Sequence, residues 1–123
     1  MDSFLKIALV QSKLVWENPA LNRFEFTSKI KAVSGKADLV ILPELFTSGF
    51  TMQPQNVAET MNGETIVWLK TLSQTCNLAI TGSFVVKVDN TFRNRLVFVT
   101  PNGVIQYYDK RHSFTLAGED KVY

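Results

Sequence analysis

Two short apolar runs, FLKIALVQ (Phe4 to Gln11) and ADLVIL (Ala37 to Leu42), stand on either side of one segment patterned for a helix. In the first run Leu5, Ile7 and Leu9 fall on one face of a strand and Ala8 and Val10 on the other, so both faces read as buried. The second run is apolar after its second residue and is stopped by Pro43, the pattern of a strand covered on both sides. Between them Asn18 is placed to cap a helix, Pro19 to occupy its first position and Gly35 to end it, with Phe26, Ile30 and Val33 at helical spacing. That predicts a helix of about four turns. Strand, helix and strand at this spacing predict a right-handed parallel crossover.

The unit repeats. GETIVWLKTLSQTC sets Ile66, Leu69, Leu72 and Cys76 on one helical stripe, and NLAITGSFVVKV reads as a third strand interrupted by Gly82. NRLVFVT and VIQYYD flank Pro101-Asn102-Gly103, a sequence suited to a tight turn, which makes that pair antiparallel. The expected fold class is α/β, a mixed sheet of five strands with two main helices. No internal repeat or flexible linker is visible, so residues 1–123 read as a single domain. Two helices cover only one face of such a sheet. The other face calls for a further layer, so the domain reads as partial unless a second copy closes it into a homo-oligomer.

Several classes of function are excluded. The net charge is +2, with Lys and Arg scattered among Asp and Glu, so there is no nucleic-acid footprint. No apolar stretch approaches a membrane span, and MDSFLKIALVQSK lacks the apolar core and cleavage site of a secretory signal. One cysteine, Cys76, permits neither an internal disulfide nor a multi-cysteine metal site, and the chain reads as cytoplasmic. The lone His112, without clustered partners, reads as a loop or capping residue rather than a metal ligand. Trp16 and Trp68 read as packing residues.

Glu44, in ILPELFTSGF, lies two residues past the end of the second strand. Open α/β sheets bind ligands beyond the carboxyl ends of their parallel strands, so Glu44 falls at the functional edge. Residues 43–62 form a long connection, and long connections are often functional. If the strand at 104–108 runs parallel to the first three, Lys110 reaches the same rim, and the hairpin returns Arg93 and Asn94 to it. A carboxylate and an ammonium converging in a crevice suit proton transfer and stabilisation of developing negative charge. The spacing leaves other roles open: Glu44 as a turn cap or structural ion pair, Lys110 as a solvated residue after a strand.

LVILPELFTSGF, YYDKRHSF and a following GE resemble the carbon-nitrogen hydrolase (nitrilase) superfamily, and PELFTSGFTM is most similar to its omega-amidase branch. KIALVQ, TGSF and NRLVFVTPNG occur in the family's order, so the resemblance spans nearly the whole chain. It implies an α/β/β/α sandwich, of which these residues form the amino-terminal half, and a Glu-Lys-Cys triad. By motif match Glu44 is then the general base, Lys110 the oxyanion donor and Glu119 a second acid holding the lysine or substrate. Phe50 and His112 match substrate-side loop positions, and Asn94 belongs to the surrounding shell. After His112 the family usually has leucine, where this chain has Ser113.

The family's cysteine lies some tens of residues beyond the GE segment, at a strand-to-helix elbow. Cys76 falls on a helical stripe ahead of the third strand and reads as a buried hydrophobe. Thr47 and Ser48 sit beside Glu44 but show no orienting third group. The resemblance therefore implies amide hydrolysis of a small ω-amidated acid through a thioester, with the cysteine outside these residues and with no metal or organic cofactor. The alternatives are a nitrile or carbamoyl substrate on the same triad, or a catalytically silent binding or assembly module.

Overall fold

The computed structural model describes residues 3–113 and 118–123. Phe114, which closes the YYDKRHSF motif, and Ala117, ahead of the GE pair, lie outside the described residues. The elements run β1 (Ile7–Leu9), α1 (Pro19–Ala32), β2 (Leu39–Ile41), α2 (Glu64–Cys76), β3 (Ala79–Val88), β4 (Thr91–Val99) and β5 (Ile105–Asp109). One sheet takes the order β1-β2-β3-β4-β5: the first three strands are parallel, and β4 and β5 add as antiparallel neighbours. Two reversals give β5 the same direction as β1, β2 and β3.

Each helix follows from its local signals. The Asn18 side chain accepts the Leu21 N–H at 3.1 Å, and Pro19 opens α1. Gly35, at φ +79°, follows its end. The α2 stripe of Ile66, Leu69, Leu72 and Cys76 is buried. It packs with Phe26 and Ile30 of α1 onto Val40, Ile80, Phe84, Val86, Val97 and Val99, alternate residues that share one sheet face. Cys76 is thus a core residue. Phe46 links the loop after β2 to this core, its ring centroid 5.9 Å from Phe26 and 5.8 Å from Trp68.

Three expectations need correction. β1 and β2 are shorter than the apolar runs that contain them, with only three residues of each in the ladder. The face carrying Leu5, Ile7 and Leu9 is exposed, Leu9 at 76%. Both helices lie on the other side, and apolar alternation in a strand says nothing about which face they choose. Gly82 does not interrupt β3, which pairs with β4 without a break from Ile80 to Val88. No helix among the described residues is long and apolar enough to cross a membrane.

The long connection after β2 is tied down at several points. Glu59 bridges to Val86 of β3, and its carboxylate accepts the Thr65 N–H at 2.8 Å, capping α2. Arg23 of α1 reaches Glu59 and Glu64 at 3.3 and 2.8 Å.

Candidate active site

The turn that presents Glu44 is built by two residues of β3. A Cβ on Gly82 would lie 2.9 Å from both Leu42 Cβ and Phe46 Cδ1, so only glycine lets the turn approach this closely. The neighbouring Ser83 Oγ accepts the Leu45 N–H at 2.9 Å, and its carbonyl accepts the Phe46 N–H at 3.0 Å. Leu45 is held at φ +50°, a left-handed conformation that a leucine adopts only where surrounding contacts enforce it. Strain of this kind collects at functional positions, and here it sits one residue after the acid. Leu45 and Phe46 point inward and are fully buried, while Glu44 faces outward.

Strand direction brings the remaining polar groups to the same rim. Lys110 follows β5 directly, and its Nζ lies 3.0 Å from Glu44 Oε2 and 3.0 Å from Glu119 Oε1. Glu119, in a 3-10 turn at 119–121, is fully buried; the side chains of Lys110 and Glu44 are 30% and 45% exposed. Asn94 of β4, also buried, donates through Nδ2 to Glu44 Oε2 at 2.9 Å. The Phe50 ring centroid lies 5.2 Å from Lys110 Nζ, within cation–π range. Glu44, Asn94 and Lys110 border a hollow of about 270 Å³ whose other walls include Leu42, Ser83, Leu96 and Tyr108. Leu96 and Tyr108 are register partners on the sheet face that the helices leave open.

Burial disfavours the Lys110 ammonium, but hydrogen bonds and charge from Glu44 and Glu119 outweigh it and raise the lysine above its ordinary pKa. The group is therefore a donor at physiological pH and unsuited to act as a base. Glu44 Oε2 takes both Asn94 and Lys110, whereas Oε1 accepts no hydrogen bond among the described residues. The cluster thus combines a held cation with a carboxylate oxygen left without a hydrogen bond among the described residues.

Of the residues singled out in the sequence, Glu44, Lys110, Glu119, Asn94 and Phe50 are brought together. His112 is exposed and makes no hydrogen bond or ion pair among the described residues. Thr47 and Ser48 are fully buried on the inner side of the turn, away from the hollow. Arg93 and Arg111 are exposed beside a second hollow that shares Asn94, Tyr108 and Lys110 with the first. Sequence reasoning gave Gly82 and Ser83 no part in forming the site. A glycine inside an apolar strand was the available signal, since it marks close backbone approach.

Comparison with known proteins places this arrangement in context. The carbon-nitrogen hydrolase family profile matches residues 6–122. The chain is 35% identical over 119 residues to the omega-amidase YafV of Escherichia coli strain K12, an alignment covering 97% of this chain and 46% of that protein. It is 38% identical over 123 residues to the omega-amidase YafV of Yersinia enterocolitica, covering 98% and 46% of the two. Among solved structures, XC1258 of Xanthomonas campestris superposes with a TM-score of 0.93 at 43% identity, covering 97% of this chain and 45% of that one. XC1258 is described as a CN-hydrolase superfamily protein with an arsenic adduct in its active site. The chain spans about half the length of the relatives it matches.

Proposed function

The chain belongs to the carbon-nitrogen hydrolase family, and on that premise we propose that its complete protein hydrolyses the terminal amide of a small ω-amidated acid. Similarity to two omega-amidases supports this substrate class. The observation that carries the chemistry is the Lys110 ammonium held between Glu44 and Glu119 beside an open hollow. In this reading Glu44 is the general base, Lys110 the oxyanion donor and Glu119 the buried anion that fixes the lysine. The nucleophile is a cysteine other than Cys76, the last residue of α2, whose thiol is buried in the core.

The steps follow from these roles. Glu44 takes the thiol proton, and the thiolate attacks the amide carbonyl. Lys110 donates to the oxyanion that forms, where a preorganised cation is worth most. The intermediate collapses as Glu44 returns the proton to the leaving nitrogen, releasing ammonia and a thioester. Glu44 then takes a proton from water, hydroxide adds to the thioester, and the acid and free thiol are regenerated. Every proton is carried by a side chain, so the scheme calls for no metal or organic cofactor. Cytoplasmic placement and assembly as a homo-oligomer belong to the same reading.

Ammonia release from a panel of short amides, comparing the complete protein with its Glu44→Gln variant, tests the assignment. Loss of turnover with retained folding is the expected result. Unchanged turnover would remove Glu44 from the mechanism. Release from nitriles or N-carbamoyl compounds in preference to amides would replace the substrate class while leaving the triad in place.

A further inference from the structure

We infer that Asn94 is the positioning residue of the site: it fixes Glu44 relative to Lys110 and leaves Oε1 as the proton-accepting oxygen. The inference rests on the reading of Glu44 as general base. Asn94 touches both partners at once. Its Nδ2 donates to Glu44 Oε2 at 2.9 Å, while its main-chain carbonyl accepts the Lys110 N–H at 3.0 Å. One β4 residue thus sets the separation between an acid 50 positions upstream and a lysine just past β5. The amide orientation follows from its partner, because a carboxylate only accepts and its neighbour must be the NH2 group.

The two oxygens of a free carboxylate are equivalent, and its terminal torsion is broad and two-fold. Here the equivalence is broken. Oε2 receives two N–H donors, Asn94 at 2.9 Å and Lys110 at 3.0 Å, whereas Oε1 has none among the described residues. Protonation at Oε2 would cost at least one of those charge-assisted bonds; protonation at Oε1 keeps both. The incoming proton therefore goes to Oε1 and stays available to the leaving nitrogen. Lys110 alone would not hold this geometry. It shares its donors with Glu119, and its side chain is 30% exposed, whereas Asn94 is 4% exposed.

The test uses the complete protein with Asn94→Leu, which removes the donor, and Asn94→Asp, which keeps the shape and replaces the donor with an acceptor. Positioning predicts that kcat falls on the order of 10-fold to 100-fold for Asn94→Leu, with KM within about twofold. It also predicts that the acid limb of kcat/KM moves to higher pH, because a donor to the ionised base is gone. Asn94→Asp loses more near neutral pH, where a second carboxylate faces Glu44. Glu44→Gln runs alongside as a reference. If it is inactive while folded Asn94→Leu or Asn94→Asp retains wild-type kcat and an unmoved acid limb, the positioning role is overturned and the base assignment stands. If Glu44→Gln is active, the base assignment falls and takes this inference with it. Should Asn94→Leu fail to fold, the shape-conserving Asn94→Asp decides by itself.

Discussion

The rim where β4 and β5 meet carries two ion pairs built in opposite ways. Arg95 and Asp109 are register partners, joined by two hydrogen bonds of 2.7 and 3.0 Å, with the guanidinium 3.9 Å from the Tyr107 ring centroid. One residue along β4, the Asn94 side chain leaves the strand on the opposite face and donates to Glu44, which also accepts from Lys110. The Arg95 pair is bidentate and its arginine is buried, so its donors are spent on a fixed partner. The Glu44–Lys110 pair keeps an acceptor oxygen that is unused among the described residues, borders a hollow and hangs on a turn that includes Leu45 at φ +50°. The same strands thus carry a closed pair that can only hold and an open pair that, in the proposed reading, also exchanges a proton.

Breaking the open pair at the acid has the largest expected effect. Glu44→Gln keeps the size of the side chain and removes the proposed base, and turnover of the complete protein is expected to fall about 10²-fold to 10⁴-fold. Its stability is expected to change by less than about 0.5 kcal/mol, because the side chain is 45% exposed. A melting curve beside the rate measurement separates the two. A large stability loss would mean that this pair, too, is structural.

Removing the cation comes next and mixes both kinds of effect. Lys110→Met takes away the proposed oxyanion donor, worth about 10²-fold to 10³-fold in kcat, and also removes the ammonium beside the fully buried Glu119. A stability loss of about 1–3 kcal/mol is expected from losing the ammonium beside that buried carboxylate. Adding Glu119→Gln is expected to restore most of the stability and none of the turnover. If the double variant regains activity, Lys110 is not the donor.

The closed pair responds the other way. Arg95→Met strands Asp109 and is expected to cost about 1–3 kcal/mol in chemical denaturation. Turnover per folded molecule is expected to stay near wild type, since Arg95 lies on the face away from the hollow. A selective loss of kcat without loss of stability would erase the contrast between the two pairs.

The open pair was legible in the sequence and the closed one was not, for physical reasons that mark where legibility stops. Asn18, Pro19 and Gly35 act over a few residues of backbone, so α1 could be bounded without knowing the fold. The Pro101-Asn102-Gly103 turn likewise forced an antiparallel pair, and strand direction then placed Glu44, Asn94 and Lys110 at one rim. What stayed hidden depends on distant contacts. The exposure of Leu5, Ile7 and Leu9 follows from where two helices settle, not from the alternation of β1 itself. The strained Leu45 needs the Ser83 hydroxyl, 38 residues away, and the closeness that Gly82 allows. The Arg95–Asp109 pair needs the exact register of β4 on β5, which the turn type alone leaves unspecified.

The smallest expected effect tests how tightly the open pair is tied to its surroundings. The Tyr123 hydroxyl donates to the Thr51 carbonyl at 3.0 Å, joining the 3-10 turn that holds Glu119 to the loop after Glu44. Burial, together with the negative charges of Glu119, Glu17 and Glu44, pushes this phenol up from 10.0 to about 12. A group whose folded pKa is raised contributes stability that is complete below its unfolded pKa and lost as pH rises through the folded one. Between pH 10 and about 12 the unfolded chain therefore gives up the Tyr123 proton while the folded chain keeps it, and stability declines across that window. Lys110, whose pKa is also raised, contributes a decline of the same sign. Comparing unfolding free energies of wild type and Tyr123→Phe cancels the lysine contribution, because both proteins carry it. At neutral pH the variant is expected to be less stable by about 0.5–1.5 kcal/mol, the value of one hydrogen bond. Above pH 10 its decline is expected to be shallower, so the two curves converge. Parallel curves would mean that neither burial nor the neighbouring carboxylates hold the Tyr123 proton above pH 10.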